Sequence, residues 1–403
     1  MKTNIQLKFR PSVVVGNRGT ICYQIQYDNI SHQFASPYRV NVNEWDVRRK
    51  NVLHTSTTTS RSVYLESISR WMHRDMQQLS FHVAGCQARG ITGFNDWLVG
   101  ELRALLQKHS LGQFAEEVVA ELYRLGHERT AETYRTTMNS LGRFMQGEDV
   151  MIEDLDSEFL QAYECYLNRV GVVPNTISFY MRRLRALYNR ALEQFHIEDR
   201  NPFRRVYTAS ERTVKRAVPL KCLKQLKSLN LADSPSMQYA RDMFLFSFYT
   251  RGMSFIDMAY LKKTDLRNGV LSYRRSKTGQ TLSVQWESCM QQILDHYPSR
   301  GDSEYLFPII RHSLSDKRRQ YKNALARINR NLKELGRVIG LSAPLTMYVA
   351  RHSWASIAHS EGIPLSVISQ GMGHESEKTT RIYLASLDNA VIDNANKKIL
   401  QLI

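Results

Sequence analysis

Arg351-His352, Gly373-His374 and Tyr383 follow one another near the carboxyl terminus, and Lys277 stands earlier in Ser276-Lys277-Thr278-Gly279-Gln280. A guanidinium, an imidazole, a phenol and an ammonium suffice to break a phosphodiester without metal or attacking water. Such a reaction needs a nucleophile in line with the leaving oxygen, and positive donors on the non-bridging oxygens. It also needs an acid for the leaving 5′-oxygen. Tyr383 supplies a nucleophilic oxygen. Arg351 offers a planar fork of donors, His374 a hydrogen bond to the same phosphate, and Lys277 a proton. Each has a bland alternative, since Tyr383 could pack in a core and Lys277 could be turn surface. Their joint order and spacing argue for chemistry.

The whole chain suits a polyanionic partner. It has 403 residues, with 55 Lys and Arg against 38 Asp and Glu, a formal net charge of +17. Neutralising phosphates releases counterions, so such an excess favours nucleic acid; solvated surface lysines are the competing explanation. Five scattered cysteines without a CxxC pair exclude a disulfide framework or zinc ribbon. No HExxH occurs, and His312 and His359 lack partners at metal spacing, so neither metal nor other cofactor is expected. The amino terminus lacks an apolar signal core, and the most apolar stretch, Met243 to Tyr249, is far shorter than a membrane span. A cytoplasmic, nucleoid-associated protein with no membrane partner is the expectation.

Three kinds of element must position these residues. Alternation of Ile5, Leu7 and Phe9, then of Ile21, Tyr23, Ile25 and Tyr27, predicts strands joined by the turn Gly16-Asn17-Arg18-Gly19. A helix from Val63 to about Leu79 completes a β-rich module over 1–85, with Arg10, Arg18, Arg48, Arg49 and Lys50 on its surface. Period-3.6 stripes then predict helices between about 105 and 205: Tyr134, Met138, Leu141, Met145; Phe159, Tyr163, Tyr166, Leu167; and Ile177 through Ala191. Opposite the last stripe stand Arg182, Arg183, Arg185 and Arg190, suited to a phosphate edge or, equally, to a solvated helix face. A basic connector from Asn201 to Asn230, including Arg204, Arg205, Lys215 and Arg216, reads as extended up to a helix from about Leu220, with 206–217 as the linker between domains. The segment 218–403 reads as α+β, with helices Met237–Tyr249 and Ser254–Leu261, a hairpin from Val270 to Trp286, and further helices. Arg318 and Arg319 open a basic run with Lys317, Lys322, Arg327 and Arg330 that could track a DNA backbone. Val391, Ile392, Ala395, Ile399 and Leu400 form a last apolar stripe, for a neighbouring subunit or an internal core.

The carboxyl-terminal half resembles the tyrosine recombinases, the phage integrase family. Thr346-Met347-Tyr348-Val349-Ala350-Arg351-His352-Ser353 resembles the family's His-x-x-Arg-His box, and Gly373-His374 through Thr380-Arg381-Ile382-Tyr383 its Gly-His…Tyr box. Lys277 sits where the family keeps a hairpin lysine. Lys215-Arg216-Ala217-Val218-Pro219-Leu220 is similar to the entry of its catalytic domain. Asn43-Glu44-Trp45-Asp46 resembles the arm-site module of mobile-element integrases, and the atypical Arg251–Ser254 segment resembles Bacteroidetes integrases and promoter-inverting recombinases. The resemblance implies a multidomain protein: an N-terminal β-rich arm-type module, an all-α, SAM-like core-binding domain and an α+β catalytic domain. It further implies double-stranded DNA as partner, a homotetramer on paired sites (monomer or dimer in free solution), and site-specific strand exchange through a 3′-phosphotyrosine.

Two positions depart from the family pattern. Tyr348 replaces a histidine, and a phenol donates a hydrogen bond but carries no charge at neutral pH. Aligning Asp257-Met258-Ala259-Tyr260-Leu261 with the family's acidic segment puts Ser254 where an arginine is expected. Arg251, about one helical turn earlier if the helix extends that far, is the candidate replacement, with Asp257 positioning an arginine or merely capping the helix. A silenced, DNA-binding regulator of the same fold and a type IB topoisomerase remain alternatives, as does integration against inversion.

Overall fold

The computed structural model describes residues 4–14, 16–27, 30–53, 59–91, 93–211, 217–299, 301, 303–311, 316–384 and 400–401, with only the backbone of 382–384. Two compact units divide the chain, Met1–Arg212 and Thr213–Ile403.

The first unit opens with strands β1 (Asn4–Arg10), β2 (Gly19–Tyr27) and β3 (Ile30–Val40), an antiparallel sheet in chain order. The first two pair as the alternation predicts, with Leu7 opposite Tyr23 and Phe9 opposite Ile21. The third strand was not expected. Its inward residues are the interrupted set Phe34, Ser36, Tyr38 and Val40, a pattern too polar to announce itself. Short strands β4 (Trp45–Asp46) and β5 (Asn51–Val52) precede helix α1 (Ser60–Ala88), nine residues longer than expected at its carboxyl end. Thr59 starts that helix by accepting the Ser62 N–H.

Five further helices follow: α2 (Asp96–Leu105), α3 (Leu111–Arg124), α4 (Glu128–Met145), α5 (Ser157–Arg169) and α6 (Pro174–Phe195). Asn95, Ser110 and Asp156 cap the amino ends of α2, α3 and α5 with side-chain oxygens, and Pro174 opens α6. The expected stripes are the buried faces, although Met138, Tyr166 and Tyr180 are only half-buried. Sheet and helices share one continuous apolar core running from Leu7 to Val206. Pro202–Arg205 form a 3-10 turn whose Pro202 and Phe203 are buried, so the stretch after Asn201 is folded into this unit rather than extended.

A buried polar cluster ties the sheet to the helices within this core. Lys108 Nζ donates to Asp75 Oδ2 at 2.8 Å and Asp154 Oδ1 at 2.6 Å. The Tyr23 hydroxyl reaches Asp75 at 2.6 Å, and that of Tyr38 reaches Asp154 at 2.8 Å. Burial holds the Asp154 carboxyl above the usual range despite Lys108 and Arg74 beside it.

The second unit begins with α7 (Leu220–Ser228), α8 (Pro235–Tyr249) and α9 (Phe255–Ala259). A small antiparallel sheet follows, with strands β6 (Leu266–Arg267), β7 (Val270–Arg274) and β8 (Thr281–Gln285). Helices α10 (Ser288–His296), α11 (Lys317–Val338), α12 (Met347–Ser360), α13 (Leu365–Gly371) and α14 (Glu377–Leu384) complete it. Met243, Phe244, Leu245 and Phe246 of α8 are all buried, which makes it the central helix, with α11 and α12 against it. Of the last apolar stripe, Val391, Ile392, Ala395 and Ile399 lie outside the described residues, and Leu400 is exposed. Among the described residues, no helix is long and apolar enough to cross a membrane.

Candidate active site

Arg351 is the anchor. Helix α12 carries it into the interior of the second unit, where it is 4% exposed. Its Nη1 donates to the Gly252 carbonyl at 2.9 Å and its Nη2 to the Met372 carbonyl at 2.6 Å. Gly252 has φ +75°, and a Cβ there would stand 2.6 Å from the Arg351 Cα. Only glycine lets the turn after α8 come this close to α12.

Nη2 of Arg351 also meets His374 Nε2 at 3.0 Å, and His374 Nδ1 lies 2.8 Å from Thr380 Oγ1. A guanidinium only donates, so Nε2 accepts and Nδ1 carries the proton, which it gives to Thr380. Desolvation, then the positive charges of Arg351, Arg275 and Lys277, push the imidazole down to about 4. At neutral pH His374 is therefore uncharged, and both ring nitrogens serve to orient Arg351 and α14.

Lys277 is exposed at the tip of the β7–β8 hairpin, as expected, and close enough for its charge to act on His374. The loop that carries Lys277 is held by Asp257, whose Oδ1 accepts the Ser276 N–H at 2.8 Å and whose Oδ2 accepts the Ser254 hydroxyl at 2.6 Å. Asp257 thus positions the hairpin through Ser276, not an arginine. Ser254 ends its reach there.

Arg251 sits in a left-handed turn, φ +58°, because α8 stops at Tyr249 and α9 begins at Phe255. The helix does not extend back to it. A Cβ on Gly371 would lie 3.6 Å from its Cδ, and its charge acts with those of Arg351 and Arg275 on the buried Tyr273 phenol, which burial pushes up. Among the described residues its side chain makes no hydrogen bond or ion pair. Tyr348 is 57% exposed and meets the buried His352 edge-on at 4.6 Å. Tyr383 lies on α14, which packs against α12 and α13, but its side chain is outside the described residues.

Sequence reasoning missed Arg275. It is 7% exposed and its Nη1 donates to the Gly373 carbonyl. Alternation gave a signal: Leu271, Tyr273 and Arg275 are the inward set, with Ser272 and Arg274 outward. Thr380, fully buried, was also missed.

The basic candidates divide by what they touch. Arg182 and Arg185 are exposed on α6, whereas Arg183 lies over the rings of Tyr134 and Phe179 and Arg190 pairs with Glu121. Arg204, Arg205 and Arg319 are exposed, and Arg318 is half-buried. On the β module, Arg10, Arg48, Arg49 and Lys50 are exposed and Arg18 pairs with Glu148. Lys215 and Arg216 lie outside the described residues.

Residues 110–209 match the phage integrase SAM-like domain and residues 222–390 the phage integrase family, together more than half of the chain. A probable integrase/recombinase protein of Methanocaldococcus jannaschii is 28% identical over 35% of this chain and 43% of its own. The tyrosine recombinase XerA of Pyrococcus furiosus is 30% identical over 34% and 46%. The chain thus spans under half the length of these curated relatives. Among solved structures, a lambda integrase dimer bound to a COC′ core site has TM-score 0.55 at 14% identity, covering 93% of this chain and 96% of that one. The Tn1549 transposon integrase with transposon right-end DNA has TM-score 0.52 at 15% identity, over 73% and 99%. The fold is lambda integrase-like.

Proposed function

Because the chain belongs to the phage integrase family of tyrosine recombinases, we propose that it is a site-specific DNA recombinase that cuts through a 3′-phosphotyrosine on Tyr383. The observation that carries this reading is the buried Arg351–His374 pair, fixed at 3.0 Å beside the helix that bears the tyrosine. A preorganised cation of this kind stabilises the charge that develops on a phosphate under attack.

The Tyr383 oxygen attacks phosphorus and its proton leaves to water. The bond from phosphorus to the 5′-oxygen breaks, and Lys277 protonates that oxygen. The free 5′-hydroxyl of a partner strand then attacks the phosphotyrosine and gives its proton to the neutral Lys277 amine, which restores the phosphodiester and releases the tyrosine, reprotonated from water. Hydrolysis is not involved, so the strand is rejoined without cofactor energy. Arg251 supplies the second cation, since the Ser254 hydroxyl carries no charge and already donates to Asp257. Removing one preorganised donor costs about 10²–10³ in rate, so Arg251→Ala should slow covalent cleavage by that order; a parent-like rate removes Arg251 from the site.

In this reading the second unit, from about 218, is catalytic, residues 105–205 bind the core site, 206–217 form the linker, and the β module over 1–85 contacts further DNA. Arg182, Arg185, Arg204, Arg205, Arg318 and Arg319 are the phosphate-facing candidates, with Lys215 and Arg216 on the linker, and Arg183 a weaker one because its guanidinium is spent on two rings. Four protomers on two sites carry out the exchange, as integration, excision or inversion of a mobile segment.

The test is a nicked suicide duplex from the DNA flanking the gene, incubated with the full chain and run on a denaturing gel. A covalent adduct is expected with the parent and none with Tyr383→Phe, which should still shift the duplex. Adducts surviving in that variant would exclude Tyr383. Ser254 and Tyr348, where the family keeps basic side chains, favour a second reading as a weakened DNA-binding regulator, which would shift DNA and give no adduct.

A further inference from the structure

We propose that Arg275 is a positioning residue for strand cleavage: it docks the β7–β8 hairpin onto the Gly373-His374 turn and thereby sets where Lys277 delivers its proton. The inference rests on the recombinase reading above and goes beyond it by assigning work to a residue outside the motif set.

Arg275 is placed by three independent contacts. Its N–H donates to the Gln280 carbonyl and its own carbonyl accepts the Gly279 N–H, both at 2.8 Å, so it closes the loop that holds Lys277. Its side chain crosses to the Gly373 carbonyl. Its neighbour Ser276 gives its N–H to Asp257. The loop is thus pinned just before Lys277 from two sides, by Asp257 and by the Gly373 turn.

Packing at that turn is equally close. Gly373 has φ +64°, and a Cβ there would lie 2.9 Å from Leu282 Cδ1 on β8 and 3.3 Å from Gln280 Oε1. A guanidinium this buried is retained where its charge or its reach is used. The β7–β8 loop is thus fixed to Gly373, which lies between the Met372 carbonyl and the His374 ring that bond Arg351. A displacement of about 1 Å in a catalytic group costs on the order of 10² in rate.

A leaving-group substitution separates this role from a merely structural one. Single-turnover cleavage is measured at saturating full chain on the suicide duplex, with oxygen or sulfur at the scissile 5′ position. Sulfur leaves as a thiolate and needs no proton. Arg275→Met should slow the oxygen substrate by about 10²-fold with DNA affinity unchanged, and should return to near the parent rate on the sulfur substrate, as Lys277→Ala should. The double variant should be no slower than Lys277→Ala alone, and Arg275→Lys should recover part of the oxygen rate. If sulfur rescues Lys277→Ala and not Arg275→Met, or if the two losses multiply, the assignment is overturned. Should Arg275→Met fail to fold, Arg275→Gln, which keeps an N–H donor without charge, carries the same comparison. A parent chain that forms no adduct on either substrate sinks the recombinase reading itself.

Discussion

Arg351 Nη2 donates to His374 Nε2 at 3.0 Å, which leaves the histidine's proton on Nδ1, facing Thr380. That hydrogen bond decides tautomer and orientation, while desolvation and the neighbouring positive charges keep the ring neutral.

The His374 ring should titrate near 4, against an ordinary value of 6.5. Between those values the unfolded chain binds more protons than the folded one. The contribution of this group to stability is then fully present above about pH 6.5 and is lost as pH falls towards 4. NMR titration of the ring checks it; a midpoint near 6.5 would contradict the buried, Arg351-bonded geometry.

Thr380→Val should strand the Nδ1–H in a buried site. An unsatisfied buried donor costs about 1–3 kcal/mol, and covalent cleavage should slow while DNA binding stays. Thr380→Ser, which restores an acceptor, should recover both melting temperature and cleavage. Equal loss in the two variants would point to packing of the methyl group instead.

Gly252→Ala puts a methyl 2.6 Å from the Arg351 Cα at a positive φ. Left-handed strain and overpacking together cost on the order of 2–5 kcal/mol. Thermal unfolding of the full chain should fall accordingly, with cleavage lost before DNA binding. A parent-like melting curve would mean that this turn yields easily.

In the first unit, Lys108→Met leaves Asp75 and Asp154 buried together without their shared ammonium. Breaking a buried pair costs about 3–5 kcal/mol. Hydrogen exchange in the full chain should accelerate in α1 and around Ile152–Asp154, and exchange unchanged from the parent would show that the cluster does not hold sheet to helices.

Much of the fold was legible because apolar spacing is local. The stripe from Ile177 to Ala191 and the strands around Leu7 and Tyr23 bury the faces their periods predict. Strand β3 was not legible, because its inward face includes Ser36, which bonds to the Ile21 carbonyl at 2.7 Å and so needs no apolar side chain. The helix ends on either side of Arg251 were legible, at Tyr249 and about Ser254; the left-handed turn between them was not, because it serves the close approach of α12 at Gly252.

The sequence by itself determined which groups are available, in what order, and on which kind of element: Arg351 on a helix, Lys277 on a hairpin, His374 after a glycine turn, all in a basic chain. Tertiary structure alone decided their partners. It turned Asp257 to the loop that carries Lys277, gave the Ser254 hydroxyl to Asp257, set the desolvated His374 ring between Arg351 and Thr380, and buried Arg275 against Gly373. Those outcomes depend on residues 99, 98 and 23 positions apart meeting in one desolvated place. Spacing along a chain carries no record of such meetings, because burial and charge act through space.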